Sequence, residues 1–286
     1  MPTFFNQATL SYNDVTTTSN TVQGEIVQAL TMTKTAATDN YAPGSTVTYA
    51  ISIFNSSTAP FTELTLTDDL GNYPFGTADS RTPLTYLPGT VRYFINGVLQ
   101  TPAPTVAATS PLTVTGLTVP AGANAMLIYN AEPNEFAPPA PGSNITNTAS
   151  LAGGGLIDAV EATAAVTPAD EPVLGITKAI EPATVTENGT ITYTFTINNT
   201  GSQEADAADN VTVRDVFDPA LNITAVTLNG GDMPANTAYT YTPANGTFAT
   251  VPGTITVPAA TYTQNPTTGA WNTTPGTATL TVTGTV

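Results

Sequence analysis

Apolar side chains fall on every second position in short runs along most of the chain. Val47, Tyr49, Ile51 and Ile53 alternate with Thr48, Ala50 and Ser52, and Leu64–Thr67 and Thr279–Val282 repeat the pattern. A period of two is the mark of a strand with one face buried. Thr, Val, Ile and Tyr dominate these runs, and Gly, Pro and Asn break them, which is strand chemistry punctuated by turn chemistry. The pattern predicts an all-β chain built from β-sandwiches.

The pattern occurs twice. Thr33-Lys34 precedes Thr46-Val47-Thr48-Tyr49, and Thr177-Lys178 precedes Thr190-Ile191-Thr192-Tyr193 at the same spacing. Further on, Leu64-Thr65-Leu66-Thr67-Asp68 matches Val211-Thr212-Val213-Arg214-Asp215. Two homologous β-domains are expected, over 29–171 and 172–286, joined by the short linker Pro168-Ala169-Asp170-Glu171-Pro172.

The ends of the two copies differ. The first closes with a hairpin, Asn144–Leu151, then Gly153 to Gly155, then Val160–Val166. The second reaches Thr279–Val286 without such a hairpin, whereas Phe4-Phe5-Asn6-Gln7-Ala8-Thr9-Leu10 matches Ile145–Leu151. Residues 1–28 are therefore expected to be a donor hairpin, and 172–286 an incomplete, acceptor sandwich. A sandwich short of two strands exposes core side chains and an unpaired edge. Strand addition from a second copy would fill it, with Phe4, Asn6, Ala8 and Leu10 as the donor-strand face. A head-to-tail contact of this kind does not close and makes a filament.

Strand alternation also directs polar groups inward. Leu30, Met32 and Lys34 share a face, as do Leu174, Ile176 and Lys178. Leu64, Leu66 and Asp68 share one, as do Val211, Val213 and Asp215, and Asn147 and Asn6 align with the apolar faces of their segments. Buried charge must be paired. Two pairings are open. Lys and Asp could form a buried ion pair with Asn hydrogen-bonded to it. Alternatively, the Lys amine could attack the Asn carboxamide and expel ammonia, giving an isopeptide bond assisted by a protonated Asp.

Composition narrows the function. There is no His and no Cys, so Ser-His-Asp triads, thiol nucleophiles and Cys/His metal sites are excluded. Five cations and a formal net charge of −16 argue against nucleic-acid partners and against anionic lipid. The start, Met1-Pro2-Thr3-Phe4-Phe5-Asn6, has no basic n-region, and no apolar run of about 18 residues occurs, so no leader and no membrane insertion are expected. Neither a cofactor nor a metal is expected. The acidic segment Glu204–Asn210 is a weak Ca²⁺ candidate read better as a solvated loop. Trp271, Tyr93 and Phe94 could line a sugar-binding face but read better as core.

The pattern Thr-Lys, Thr-Val-Thr-Tyr, Val-Thr-Val-x-Asp and Ile-Thr-Asn-Thr-Ala resembles the conserved-repeat β-domains of bacterial surface proteins. These are related in style to the isopeptide-forming domains of Gram-positive pilins and collagen adhesins. The resemblance implies tandem immunoglobulin-like sandwiches and a Lys-Asp-Asn division of roles. Lys34 would join Asn147 within the chain with Asp68 assisting, and Lys178, assisted by Asp215, would join Asn6 of another copy. Asp68 and Asp215 would then be single-turnover catalytic groups, not parts of an enzyme. The expected function is a structural subunit of a self-assembling extracellular filament on a bacterial cell or spore. The alternative is a monomeric surface stalk or adhesin fragment that binds a host ligand or glycan.

Overall fold

The computed structural model describes residues 3–286; Met1 and Pro2 of the expected hairpin lie outside the described residues. Strands β1 (Thr3–Asn6), β2 (Thr9–Tyr12), β3 (Val15–Thr18) and β4 (Val22–Glu25) form one long, interrupted hairpin, β2 pairing with β3 and β1 with β4. Asn13 and Asp14 turn it with φ of 43° and 62°, the left-handed pair that suits a tight hairpin. Phe4 lies opposite Gly24, and its ring fills the space where a Cβ would sit. Almost every residue of the hairpin is exposed, including Phe4, Phe5, Leu10 and Val22.

The next strands are β5 (Leu30–Ala36), β6 (Asn40–Tyr41), β7 (Val47–Asn55), β8 (Phe61–Asp68), β9 (Tyr73–Phe75), β10 (Asp79–Arg81), β11 (Leu84–Tyr86), β12 (Arg92–Ile95), β13 (Val98–Leu99), β14 (Thr105–Thr109), β15 (Leu112–Val119), β16 (Asn124–Pro133), β17 (Ile145–Gly153) and β18 (Val160–Pro168). One sheet runs β13-β12-β16-β7-β5, with β11 also on β16; the other runs β14-β15-β8-β17-β18-β6. Their inner faces enclose a core that includes Leu30, Tyr49, Ile51, Leu66, Leu127, Tyr129, Ala149 and Val166. Along β5 and β7 buried residues alternate with exposed or half-buried ones, the sequence alternation made physical.

A second set follows: β19 (Leu174–Glu181), β20 (Thr190–Asn199), β21 (Arg214–Val216), β22 (Asn222–Leu228), β23 (Gly231–Asp232), β24 (Tyr239–Thr242), β25 (Thr247–Thr250), β26 (Thr261–Gln264), β27 (Trp271–Thr274) and β28 (Gly276–Thr285). The sheet β23-β22-β28-β20-β19 repeats β13-β12-β16-β7-β5 strand for strand, and β24-β25-β21 repeats β14-β15-β8. A separate core gathers Ile191, Phe195, Phe217, Phe248, Leu280 and Val282. The architecture is all-β, a tandem of immunoglobulin-like sandwiches. The sandwiches differ at one place. In the first, β17 and β18 extend the second sheet beyond β8 and cover β5. In the second, the edge of β21 away from β25 pairs with nothing among the described residues, and β19 is exposed along its whole length.

The two sandwiches touch. Residues 169–173 separate β18 from β19, and Ser202 Oγ donates to Ala169 O at 3.2 Å and to Asp170 Oδ1 at 2.7 Å. The hairpin β26–β27 reaches back to the first sandwich. Arg81 Nε donates to Thr268 O at 2.7 Å, Trp271 N to Glu135 O at 2.8 Å and Gln264 Nε2 to the Tyr73 hydroxyl at 3.1 Å. The Arg81 guanidinium lies over Phe75, 4.4 Å from the ring centroid.

Candidate functional site

The first sandwich brings Lys34, Asp68 and Asn147 together from β5, β8 and β17. Lys34 Nζ donates to Asp68 Oδ2 at 2.7 Å, and both side chains are fully sealed from solvent. The Lys34 ammonium also stands 4.9 Å from the Tyr49 ring centroid, a cation–π contact. Tyr129, on β16, donates its hydroxyl to the same Asp68 Oδ2 at 2.7 Å, and Asn147 Nδ2 donates to that hydroxyl at 2.9 Å. The sequence pattern does not single out Tyr129, because a tyrosine at an alternating strand position reads as ordinary core.

The turn after β8 fixes the acid. Leu70 N donates to Asp68 Oδ1 at 3.1 Å, while Asp69 Oδ1 accepts from Gly71 N at 2.8 Å and from Thr148 N at 2.9 Å. Adjacent aspartates thus do separate work: one enters the core and the other holds β17 in place. Gly71 is required there. Its φ is +75°, and an added Cβ would lie 2.4 Å from Ile145 Cγ2.

Burial dominates the electrostatics. It draws the Lys34 ammonium below its ordinary value, with Asp68 opposing. It lifts the Asp68 carboxyl, with Lys34 and Tyr129 opposing. Both shifts favour the uncharged forms, an amine and a carboxylic acid. Burial also holds the Tyr129 hydroxyl protonated. The carboxamide oxygen of Asn147 and the Tyr49 hydroxyl are buried and make no hydrogen bond among the described residues. A buried amide carbonyl without a donor is costly, and here it belongs to the group a lysine amine would attack.

The second sandwich assembles part of the same constellation. Lys178 Nζ donates to Asp215 Oδ2 at 2.5 Å, but the side chains are 40% and 18% exposed. Lys178 thus shares the register of Lys34 on the core-facing side of its strand, but its side chain is open to solvent among the described residues. Around the ammonium stand Tyr193 at 4.4 Å, Phe195 at 5.4 Å and Phe217 at 5.5 Å. Ile176 is 55% exposed where its counterpart Met32 is 9%. Asn6 is exposed on β1, opposite Val22, and is not brought to Lys178 within the chain.

The weaker candidates resolve simply. Asp206 caps the 3₁₀ turn Ala207–Asp209, accepting from Ala208 N, while Asp209 accepts from Asp206 N. No group of three or more potential metal ligands occurs among the described residues. Tyr93 is core, donating to Thr118 O at 2.9 Å. Trp271 lies in the docked β26–β27 hairpin. No helix among the described residues is long and apolar enough to cross a membrane.

No protein-family model and no curated protein matches the chain. Among solved structures it is similar to a point variant of BcpA, the major pilin subunit of Bacillus cereus. That match has 14% identity and a TM-score of 0.39, covering 87% of this chain and 64% of that one. The full-length major pilin SpaD from Corynebacterium diphtheriae matches at 14% identity and a TM-score of 0.35, over 58% of this chain and 41% of that one. The collagen adhesin of S. aureus matches at 12% identity and a TM-score of 0.30, over 53% and 55%. The chain thus spans less than two thirds of each, and likenesses this distant carry no argument about function.

Proposed function

We propose that the chain is a structural subunit of an extracellular filament, and that copies join by strand donation. The hairpin β1–β4 of one copy fills the slot between β19 and the free edge of β21 in the next. The observation that carries this reading is the match between what is open and what is spare. The slot lies where β17 and β18 lie in the first sandwich, and β1 and β4 form an antiparallel pair with the same Asn-bearing motif. Exposed apolar side chains stand on both parts: Ile176, Ile180 and Val216 at the slot, Phe4, Leu10 and Val22 on the hairpin. Covering them together removes an apolar surface that a soluble monomer rarely leaves open, and pairing both edges satisfies backbone groups otherwise left to water.

The same reading includes covalent locking. Lys34 joins Asn147 within the chain, and Lys178 joins Asn6 of the donating copy, with Asp68 and Asp215 as acids. The sealed, uncharged-favouring Lys34–Asp68 pair supports the first bond. Docking of β1 would desolvate Lys178 and Asp215 in the same way and supports the second. Deleting residues 1–28 tests the assembly. Under strand donation the parent forms filaments in negative-stain images and the deletion variant stays monomeric. Filaments from the deletion variant, or a monomeric parent with its hairpin folded onto its own β19, would overturn the reading.

A further inference from the structure

The first site contains a hydroxyl that the Lys-Asp-Asn scheme does not use. Four atoms follow one another at hydrogen-bond distance: Lys34 Nζ, Asp68 Oδ2, the Tyr129 hydroxyl and Asn147 Nδ2. The last is the nitrogen that leaves as ammonia in the proposed bond. Asp68 itself makes no hydrogen bond to Asn147; the hydroxyl stands between them. The equivalent position of the second sandwich carries no hydroxyl. Tyr129 pairs with Tyr49 across β16 and β7, and at the same place in the second sandwich Tyr193 pairs with Val282. A valine is fully buried there in an equally regular sheet.

We infer that Tyr129 is a catalytic residue of the first cross-link, relaying a proton from Asp68 to the departing nitrogen of Asn147. The inference rests on the proposed isopeptide reading. The step balances without an outside reactant. The Lys34 ammonium gives one proton to the Asp68 carboxylate, leaving a neutral amine and a carboxylic acid. The amine attacks Asn147 Cγ, forming the C–N bond and placing negative charge on Oδ1. Asp68 passes its proton to the Tyr129 oxygen as that hydroxyl gives its own to Nδ2. The Cγ–Nδ2 bond breaks, ammonia leaves, and the new amide nitrogen returns its extra proton to Asp68. The products are the secondary amide, ammonia and a protonated Asp68. A phenol that burial holds protonated suits a group that gives one proton only as it receives another.

The relay is tested with Tyr129→Phe in the full-length chain, by following loss of ammonia in the intact mass. The parent is expected to be fully cross-linked on purification. Tyr129→Phe is expected to emerge folded but unreacted and then to lose ammonia on the order of a hundredfold more slowly, the usual weight of a positioned acid or base. A Tyr129→Phe protein as fully cross-linked as the parent overturns the relay and leaves the bond standing; a parent that retains its ammonia overturns the bond itself. If Tyr129→Phe does not fold, 3-fluorotyrosine at 129 keeps the ring and makes the hydroxyl more acidic. A relay changes the rate of ammonia loss after synthesis in a cell-free system, and an unchanged rate overturns it.

Discussion

Lys34 and Lys178 occupy the same register position, opposite Ile51 and Phe195 on the neighbouring strand, yet the first side chain is sealed and the second is open to water. The difference is made by β17 and β18, which cover one and have no counterpart over the other among the described residues. Ile176→Arg places a charge on the open β19 face beside Lys178. It is expected to stop assembly while leaving the first-sandwich ammonia loss unchanged. Light scattering with intact mass on one sample reads both, and filaments of normal length would count against the slot.

Asn6→Ala keeps the apolar donor positions and removes the carboxamide that Lys178 would attack. Filaments are expected to form and then to fall to single chains in boiling detergent, where the parent leaves a ladder on a denaturing gel. A surviving ladder would mean that Asn6 is not the acceptor.

Asn147→Ala removes the carboxamide of the proposed bond that would close a covalent loop from β5 to β17. In the chain-entropy account, cross-linking a loop of about a hundred residues adds about 4 to 5 kcal/mol by restricting the unfolded chain. The variant is expected to keep its ammonia and to lose stability of that order in the first sandwich, read by urea unfolding. A parent-like midpoint would argue for no bond.

Lys34→Met leaves Asp68 buried without its ammonium. Burial already lifts this carboxyl above its ordinary 3.8 with Lys34 opposing, so removal of the lysine lifts it further. The folded chain then holds a proton that the unfolded chain has lost, and stability falls as pH rises through the folded value. The variant is expected to unfold at higher urea at about pH 5 than at about pH 8, and Lys34→Met with Asp68→Asn should lose that difference. A midpoint that rises with pH would contradict it.

Arg81→Ala removes the hydrogen bond to Thr268 and the guanidinium over Phe75. Hydrogen exchange at the Trp271 amide, which bonds Glu135 O, is expected to quicken, while core amides of β7 and β16 keep their protection. Unchanged exchange at Trp271 would show the hairpin docked by other contacts.

Much of this was legible in the chain because it is written with period two. Lys34, Asp68 and Asn147 lie in phase with Met32, Leu66 and Ala149, and phase alone sends them to one core. What was not legible depends on pairing between distant strands. Tyr129 resembles any core tyrosine until β16 is set against β7. Trp271 resembles an ordinary strand aromatic until β26–β27 is seen against β9, β10 and Glu135. The exposure of Lys178 cannot be read from alternation alone, and was legible only by comparing the ends of the two repeats, where 172–286 lacks the hairpin that closes 29–171.

The β26–β27 hairpin sits in residues 251–275, between β25 and β28, whereas only 120–123 join the corresponding β15 and β16. The second sandwich is therefore buttressed against the first, and the first has no such arm to extend toward a preceding copy. In a fibre of these units, stiff and pliant joints would alternate, and curvature would collect where one polypeptide hands over to the next.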